Sequence, residues 1–215
     1  MMLWQMPTLV MVLGYMLGSI PFGILLTRMG GAGDLRQIGS GNIGATNAAR
    51  ALGKRWGLLV LVLDAAKAAI PLWLAGSYFA GDPRRDWIRV GMAGAAFLGH
   101  LYPIFSRFRG GKGVATALGA FLALEPRAAG LGFLTYALAY GVTRISSVGS
   151  LCAVVSFPLW LYLVGARRPS YVLAGGLLLG IVATHRGNIA RLWRGPGDDP
   201  GWARPALLVL LGLLA

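Results

Sequence analysis

The sequence predicts an all-α integral membrane protein, a bundle of about seven transmembrane helices joined by short loops that carry polar motifs. Three observations lead there. Of 215 residues, 56% are hydrophobic and only 13% are charged, and the mean hydropathy is positive, too apolar for a soluble domain that must clothe its surface in charge. The apolar residues gather into runs rather than alternating with polar ones. The charge, 20 Lys and Arg against 7 Asp and Glu for a net +13, sits in short blocks between those runs. A long basic tract would suit nucleic acid. Short basic blocks at the ends of apolar segments suit anionic lipid head groups and phosphorylated small molecules instead, so membrane lipids are expected as neighbours and nucleic acid is not. With Cys152 as the only cysteine, an internal disulfide and a thiolate metal cluster are both excluded.

The runs cover residues 9–29, 56–80, 88–105, 114–124, 128–142, 148–164 and 171–184, with a last apolar piece at 203–215. No basic residue precedes Arg28, so the first run lacks the basic flank of a cleaved signal peptide and is expected to stay as an anchor. Several runs fall short of the ~20 residues that a perpendicular crossing needs. Glu125-Pro126-Arg127 separates two of the short ones, which read either as two short helices or as one broken hairpin. Seven crossings place residues 28–55, 106–113, 143–147 and 185–204 on one side with thirteen basic residues, against six on the other. The positive-inside rule then puts the thirteen-charge side in the cytoplasm and the N-terminus outside, although Arg167-Arg168 runs against it. The 203–215 tail is too short to span and is expected to form an interfacial segment or partial helix. Residues 1–215 read as a single transmembrane domain, without internal repeat or soluble module.

Three blocks on the predicted cytoplasmic side hold the chemistry. Residues 99–116 put His100 and an aromatic turn beside Arg107, Arg109 and Lys112, then set Gly110, Gly111 and Gly113 around that lysine before an apolar run resumes at Val114. Glycines let successive N–H groups turn toward one point, and a helix starting near Val114 adds its positive end, so the segment suits an anion. It also suits a basic turn between two membrane helices, and the segment alone does not separate the two. It does not fit the nucleotide P-loop, which needs a glycine five positions before Gly111, where Ser106 stands. Residues 39–50 combine Ser40, Asn42, Thr46 and Asn47 with small residues and close on Arg50. Short polar side chains can grip a polyol or a phosphate, and one of Ser40, Asn42 and Thr46 is also expected to cap an interfacial helix ending near Leu52. Residues 184–195 join His185 and Asn188, three apart and so on one face of a helix, to Arg186, Arg191 and Arg194. Asp64 and Lys67 lie three apart inside an apolar run, where a charge is costly unless paired; they read as a structural ion pair facing the bundle interior, outside the site.

The stretches Ser40-Gly-Asn-Ile-Gly-Ala-Thr-Asn47 with Arg50, Gly99-His-Leu-Tyr-Pro-Ile-Phe105 with Phe108-Arg-Gly-Gly-Lys-Gly-Val-Ala-Thr116, and His185-Arg-Gly-Asn-Ile-Ala-Arg-Leu192 occur in this order. Together they make the chain resemble the bacterial membrane acyl-phosphate:glycerol-3-phosphate acyltransferases, the PlsY family. The layout from Leu9 to Leu192 is similar too. One departure is that the family's third motif ends in glycine, one residue, then glutamate, whereas here Gly195-Pro196 leads to Gly197, with Asp198 and Asp199 the nearest carboxylates.

The resemblance implies transfer of a fatty acyl group from acyl phosphate to the 1-hydroxyl of glycerol 3-phosphate, giving lysophosphatidic acid and phosphate at the bacterial inner membrane. It implies no cofactor and no metal. Ser40, Lys112, His185 and Asn188 become the catalytic candidates. Asn42, Thr46, Asn47, Arg50, His100, Arg109, Gly110, Gly111 and Gly113 become substrate contacts. Lys112 and Arg50 would hold phosphate, Ser40 and Thr46 the glycerol, and Asn188 the oxyanion, while His185 orients substrate or relays a proton. His100 or His185 as base, the substrate's own phosphate as base, and an acyl-Ser40 intermediate all stay open at this point.

Rival classes leave residues unexplained. An acyltransferase built on histidine with aspartate five residues on is excluded, because Phe105 and Ala190 hold those places. A transporter of an organic phosphate would want polar groups at mid-depth in two related halves. A membrane scaffold would leave Asn42, Asn47, His185 and Asn188 without a job. Nothing in the sequence speaks to oligomeric state.

Overall fold

The computed structural model describes residues 5–194. Every regular element among them is helical: α1 (Gln5–Gly18), α2 (Phe22–Met29), α3 (Ala45–Leu52), α4 (Lys54–Tyr78), α5 (Arg85–Leu101), α6 (Val114–Leu124), α7 (Pro126–Thr143), α8 (Ser146–Leu163), α9 (Arg168–Thr184) and α10 (Arg186–Arg194), with single 3-10 turns at Leu35–Gln37 and Ile104–Ser106. The fold class expected from composition is therefore found. The tail at 203–215 and the carboxylates Asp198 and Asp199 lie outside the described residues.

Four helical stretches are long and apolar enough to cross a membrane: Met6–Met29, Lys54–Tyr78, Arg85–Ser106 and Ser146–Leu163. Counting α9 with α10, bent by 57°, makes five. By length and composition the expected seven crossings are not reached. At 1.5 Å per residue the 11-residue α6 is about 16 Å long, half a hydrocarbon core. Helix α7 has 18 residues but does not meet the apolarity of a span. Helices α6 and α7 are separate helices on either side of Glu125.

The chain divides after Leu124 into two compact units. In the first, α1 packs on α5 and α4 on α6, while the short α3 lies against α4. Small residues permit these approaches, because van der Waals contact rather than hydrophobic exclusion joins helices in lipid. A Cβ on Gly18 would strike the Ala96 carbonyl, and one on Gly119 the Ala65 carbonyl. Trp73 and Leu58 point outward from α4 at 65% and 61% exposure, whereas Asp64 and Lys67 on the same helix are buried. That inside-out pattern is the one lipid imposes. Arg89 of α5 donates to the carbonyls of Leu72 and Ala123, so a guanidinium satisfies a carbonyl near the C-terminus of α6.

In the second unit α7 packs on α8 and α8 on α9. Trp160 donates its indole N–H to Thr135 and Ser156, and the Ser170 hydroxyl donates to Glu125 at 2.8 Å. Leu192 of α10 is buried with Ala139, Val148 and Cys152, so the helix that follows the bend is anchored by an apolar contact.

Candidate active site

The first polar block is a loop wrapped around one amide. Asn47 is 1% exposed. Its Oδ1 accepts the Ser40 N–H at 3.1 Å, and its Nδ2 donates to the carbonyls of Leu35, Ile38 and Asn42 at 3.1, 2.8 and 3.0 Å. The carboxamide is thereby spent on the backbone. Asn47 was expected to touch substrate; its burial gives it the work of a positioning residue, and Ser40, Thr46 and Arg50 form the exposed rim around it. Asn42 is half-buried. The expected interfacial helix is α3 and does end at Leu52, but its N-cap is Gly44 and no side chain caps it, so neither Ser40, Asn42 nor Thr46 does that job. Asn47→Ala leaves the Ser40 N–H and the Asn42 carbonyl short of a partner and takes one donor from each of the Leu35 and Ile38 carbonyls, which keep a backbone N–H. We expect a lower thermal midpoint in detergent, by about 1–3 kcal/mol of stability, together with a fall in kcat, readable by scanning fluorimetry and steady-state rates.

The second block rests on a buried polar cluster. Lys67 Nζ donates to Asp64 Oδ1 at 2.8 Å and to the Ile20 carbonyl at 3.0 Å, and lies 2.9 Å from His100 Nδ1. An ammonium has three hydrogens and no lone pair, so His100 Nδ1 accepts and the ring's proton sits on Nε2. All three hydrogens then have acceptors, and His100 Nδ1 stands 3.6 Å from Asp64. The ion pair expected between Asp64 and Lys67 is present and faces the interior. Its link to His100 was not foreseen.

His100 carries that cluster into the glycine–lysine turn. Its carbonyl accepts the Gly111 N–H at 3.1 Å, and its ring presses so closely on Gly111 that a Cβ there would meet Nε2. A Cβ on Gly110 would meet the His100 and Leu101 carbonyls. Gly113 has φ 81° and its carbonyl accepts the Ala117 N–H, so it opens α6 at Val114, where a helix was expected to begin. Lys112, half-buried, is held between these fixed points, one residue from the positive end of α6. His100 is 4% exposed with Nδ1 turned inward. Like Asn47, it is placed to position a loop rather than to meet substrate directly. Thr116, in the first turn of α6, is fully buried with a hydroxyl that has no partner among the described residues. Sequence reasoning passed over it, and a buried unpaired hydroxyl beside an anion nest is a signal only structure gives.

Gly111→Ala must push against an imidazole already pinned by Lys67. We expect a loss of ~10- to 100-fold in kcat/KM, the scale of a 1 Å misplacement. Gly130→Ala, on α7 with open space at its Cβ, should leave the same assay unchanged.

The third block lies in the second unit. His185 is the C-cap of α9, at the bend before α10, so His185 and Asn188 do not share one continuous helix as expected. His185 Nδ1 is 2.8 Å from the Ile181 carbonyl. That nitrogen therefore carries the proton, and Nε2 is the ring's acceptor. The backbone N–H of Asn188 donates to the His185 carbonyl at 2.8 Å, which starts α10 with the Asn188 side chain half-buried.

Residues 8–195 match the protein-family model for glycerol-3-phosphate acyltransferase. The chain belongs to the glycerol-3-phosphate acyltransferase family. It is 55% identical over 184 residues to a glycerol-3-phosphate acyltransferase of Anaeromyxobacter sp. (strain Fw109-5), covering 85% of this chain and 90% of the relative. It is 46% identical over 190 residues to one of Myxococcus xanthus (strain DK1622), covering 88% and 97%. Among solved structures, the acyltransferase is similar to PlsY (YgiH), an integral membrane glycerol 3-phosphate acyltransferase. Against the glycerol 3-phosphate form of that protein the TM-score is 0.82 at 40% identity, over 88% of this chain and 92% of the other. Against the lysophosphatidic acid form it is 0.81 at 38%, over 95% and 98%.

Asp34 ties together the loop that precedes the first block. It accepts from Arg36 through both carboxylate oxygens and from Arg28 at 3.0 Å. The Arg36 hydrogen bonds, aided by Arg28, hold its carboxyl well below the usual carboxylate range despite some desolvation. Asp34, Arg36 and Gln37 help to line an open cleft of about 940 Å³, together with Phe105, Ser106, Arg107 and Arg109.

Proposed function

We propose that the acyltransferase takes its acyl group from acyl phosphate and delivers it to the 1-hydroxyl of glycerol 3-phosphate, forming lysophosphatidic acid and inorganic phosphate. The observation that carries this reading is the Gly110–Gly113 turn. It presents Lys112 and the N-terminus of α6 to an anion, and it is fastened to His100 rather than left as a loose basic loop. Both substrates bring a phosphate. Acyl phosphate is a mixed anhydride and already activated, so alignment and charge neutralisation supply most of what the reaction needs.

In this mechanism the 1-hydroxyl oxygen attacks the acyl carbonyl carbon, the carbonyl electrons move onto oxygen, and collapse expels phosphate. The proton of the hydroxyl leaves on that phosphate, which makes a protein carboxylate base unnecessary. Lys112, the glycine N–H groups and Arg50 neutralise phosphate, while Ser40, Asn42 and Thr46 bind the glycerol end. Asn188 donates to the oxyanion. His185, its Nδ1–H held by Ile181, offers Nε2 to orient the acceptor. We place the reaction at the bacterial inner membrane with the basic blocks in the cytoplasm.

Donor choice tests the proposal. The purified acyltransferase in nanodiscs should acylate glycerol 3-phosphate from palmitoyl phosphate and not from a palmitoyl thioester. Turnover of the thioester at equal rate would sink the donor assignment. A Ser40→Ala variant that keeps most of its turnover, with no acyl-enzyme trapped in the wild type, would rule out a covalent serine route.

A further inference from the structure

The cleft between the two loops of the first unit contains chemistry the reaction does not use. Arg28, Arg36, Arg107 and Arg109 line it against the single carboxylate of Asp34. Arg28 and Arg36 are bound to that carboxylate. Among the described residues the guanidinium groups of Arg107 and Arg109 have no hydrogen bond or ion pair. The backbone that carries them is nonetheless held in place. Arg107 and Phe108 adopt left-handed φ values of 55° and 59°, which side chains rarely take. Three bonds fix that turn: the Phe108 N–H to the Pro103 carbonyl at 2.9 Å, the Arg109 N–H to the Ser106 carbonyl at 3.2 Å, and the Ser106 hydroxyl to the Arg109 carbonyl at 3.0 Å. The turn thus fixes the backbone positions from which two guanidinium groups reach the cleft.

Apart from Gln37 and Ser106, the remainder of the lining is apolar. Ile20, Ile24 and Leu25 come from the C-terminal end of the Met6–Met29 stretch, and Phe105, 59% exposed, from the end of the Arg85–Ser106 stretch. Both stretches are spans by length and composition, so the cleft opens where they reach the level of lipid head groups. Neither Ser40, Arg50 nor Lys112 lines it.

We propose that this cleft is a binding site for an anionic lipid, with a phosphate head group on Arg107 and Arg109 and an acyl chain along Ile20, Ile24, Leu25 and Phe105. A guanidinium pair matches phosphate oxygens in a way lone ammonium groups do not. The apolar wall selects a phosphate that carries a chain over free phosphate. Arg109, grouped with the substrate contacts on sequence grounds, belongs to this cleft. The site does not depend on which donor the enzyme uses.

The test uses the full chain in a neutral detergent, exposed to equal amounts of phosphatidylglycerol and phosphatidylcholine with the same chains, followed by extraction and counting of retained lipid. Phosphatidylglycerol should be enriched by at least about fivefold. The Arg107→Gln/Arg109→Gln double variant should lose most of that enrichment, and Lys54→Gln/Arg55→Gln, with the same change in net charge, should keep it. If the double variant fails to fold, Arg107→Gln alone, at an exposed position, should lose at least half. No enrichment, equal loss in the control pair, or displacement of the lipid by inorganic phosphate would overturn the proposal. Resistance to lysophosphatidic acid at equal concentration is expected of a bilayer lipid; displacement by it would make the cleft a site for the reaction's own product and would overturn the proposal.

Discussion

Lys112→Ala lowers kcat/KM for glycerol 3-phosphate by about 10³, the loss typical when a preorganised electrostatic contact to developing charge is removed. The expectation rests on how the lysine is held. Gly111 is bonded to the His100 carbonyl on one side, Gly113 opens α6 on the other, and Lys112 stands between them at the positive end of a helix. The glycine N–H groups and the helix end survive the substitution, so the product should still form, only slowly. Lys112→Arg should recover part of the rate, because the charge returns while the planar fork does not reproduce a compact ammonium. Steady-state kinetics on the reconstituted protein measure both. Unchanged KM and kcat in Lys112→Ala would mean the turn is a helix boundary and nothing more.

Asp64→Asn is expected to have the largest effect on stability, about 3–5 kcal/mol, because it leaves the buried ammonium of Lys67 without its counter-charge. The double variant Asp64→Asn/Lys67→Met removes both charges and should regain much of the thermal midpoint. It should not regain activity. His100 Nδ1 would have lost the donor at 2.9 Å that orients the ring under Gly111, so kcat should stay depressed in a protein that melts near the wild-type temperature. A merely structural pair would restore both together. Equal midpoints for Asp64→Asn and the wild type would remove the cluster from the account.

These two predictions mark where sequence alone is sufficient and where it is not. The start of α6 at Val114 and its end at Leu124 follow from glycines on one side and Glu125-Pro126 on the other, local signals that read directly. The spacing of three between Asp64 and Lys67 is equally local, and their pairing is found as expected. His100 is different. It joins Lys67 across 33 residues, and only the packing of α4 beside α5 brings the two together. The same limit governs Asn47. A cluster of short polar residues near a membrane suits a ligand and a self-bonded loop equally, and the choice depends on which amide ends up buried against backbone carbonyls. Gly44, rather than a hydroxyl or carboxamide residue, is the N-cap of α3. The bend at His185 has no proline or glycine at the histidine itself, so helical periodicity ran through it. The count of seven crossings is not confirmed by length and composition, for a related reason. Apolar runs were counted as spans, and α6 is apolar but too short.

The most direct test of the central claim is the stoichiometry of phosphate release. Purified protein in nanodiscs is given palmitoyl phosphate with and without glycerol 3-phosphate, and inorganic phosphate and lysophosphatidic acid are followed together. The account predicts release that depends on the acceptor, with one lysophosphatidic acid formed per phosphate. Phosphate released at the same rate without glycerol 3-phosphate, or with no lysophosphatidic acid to match it, would contradict the account.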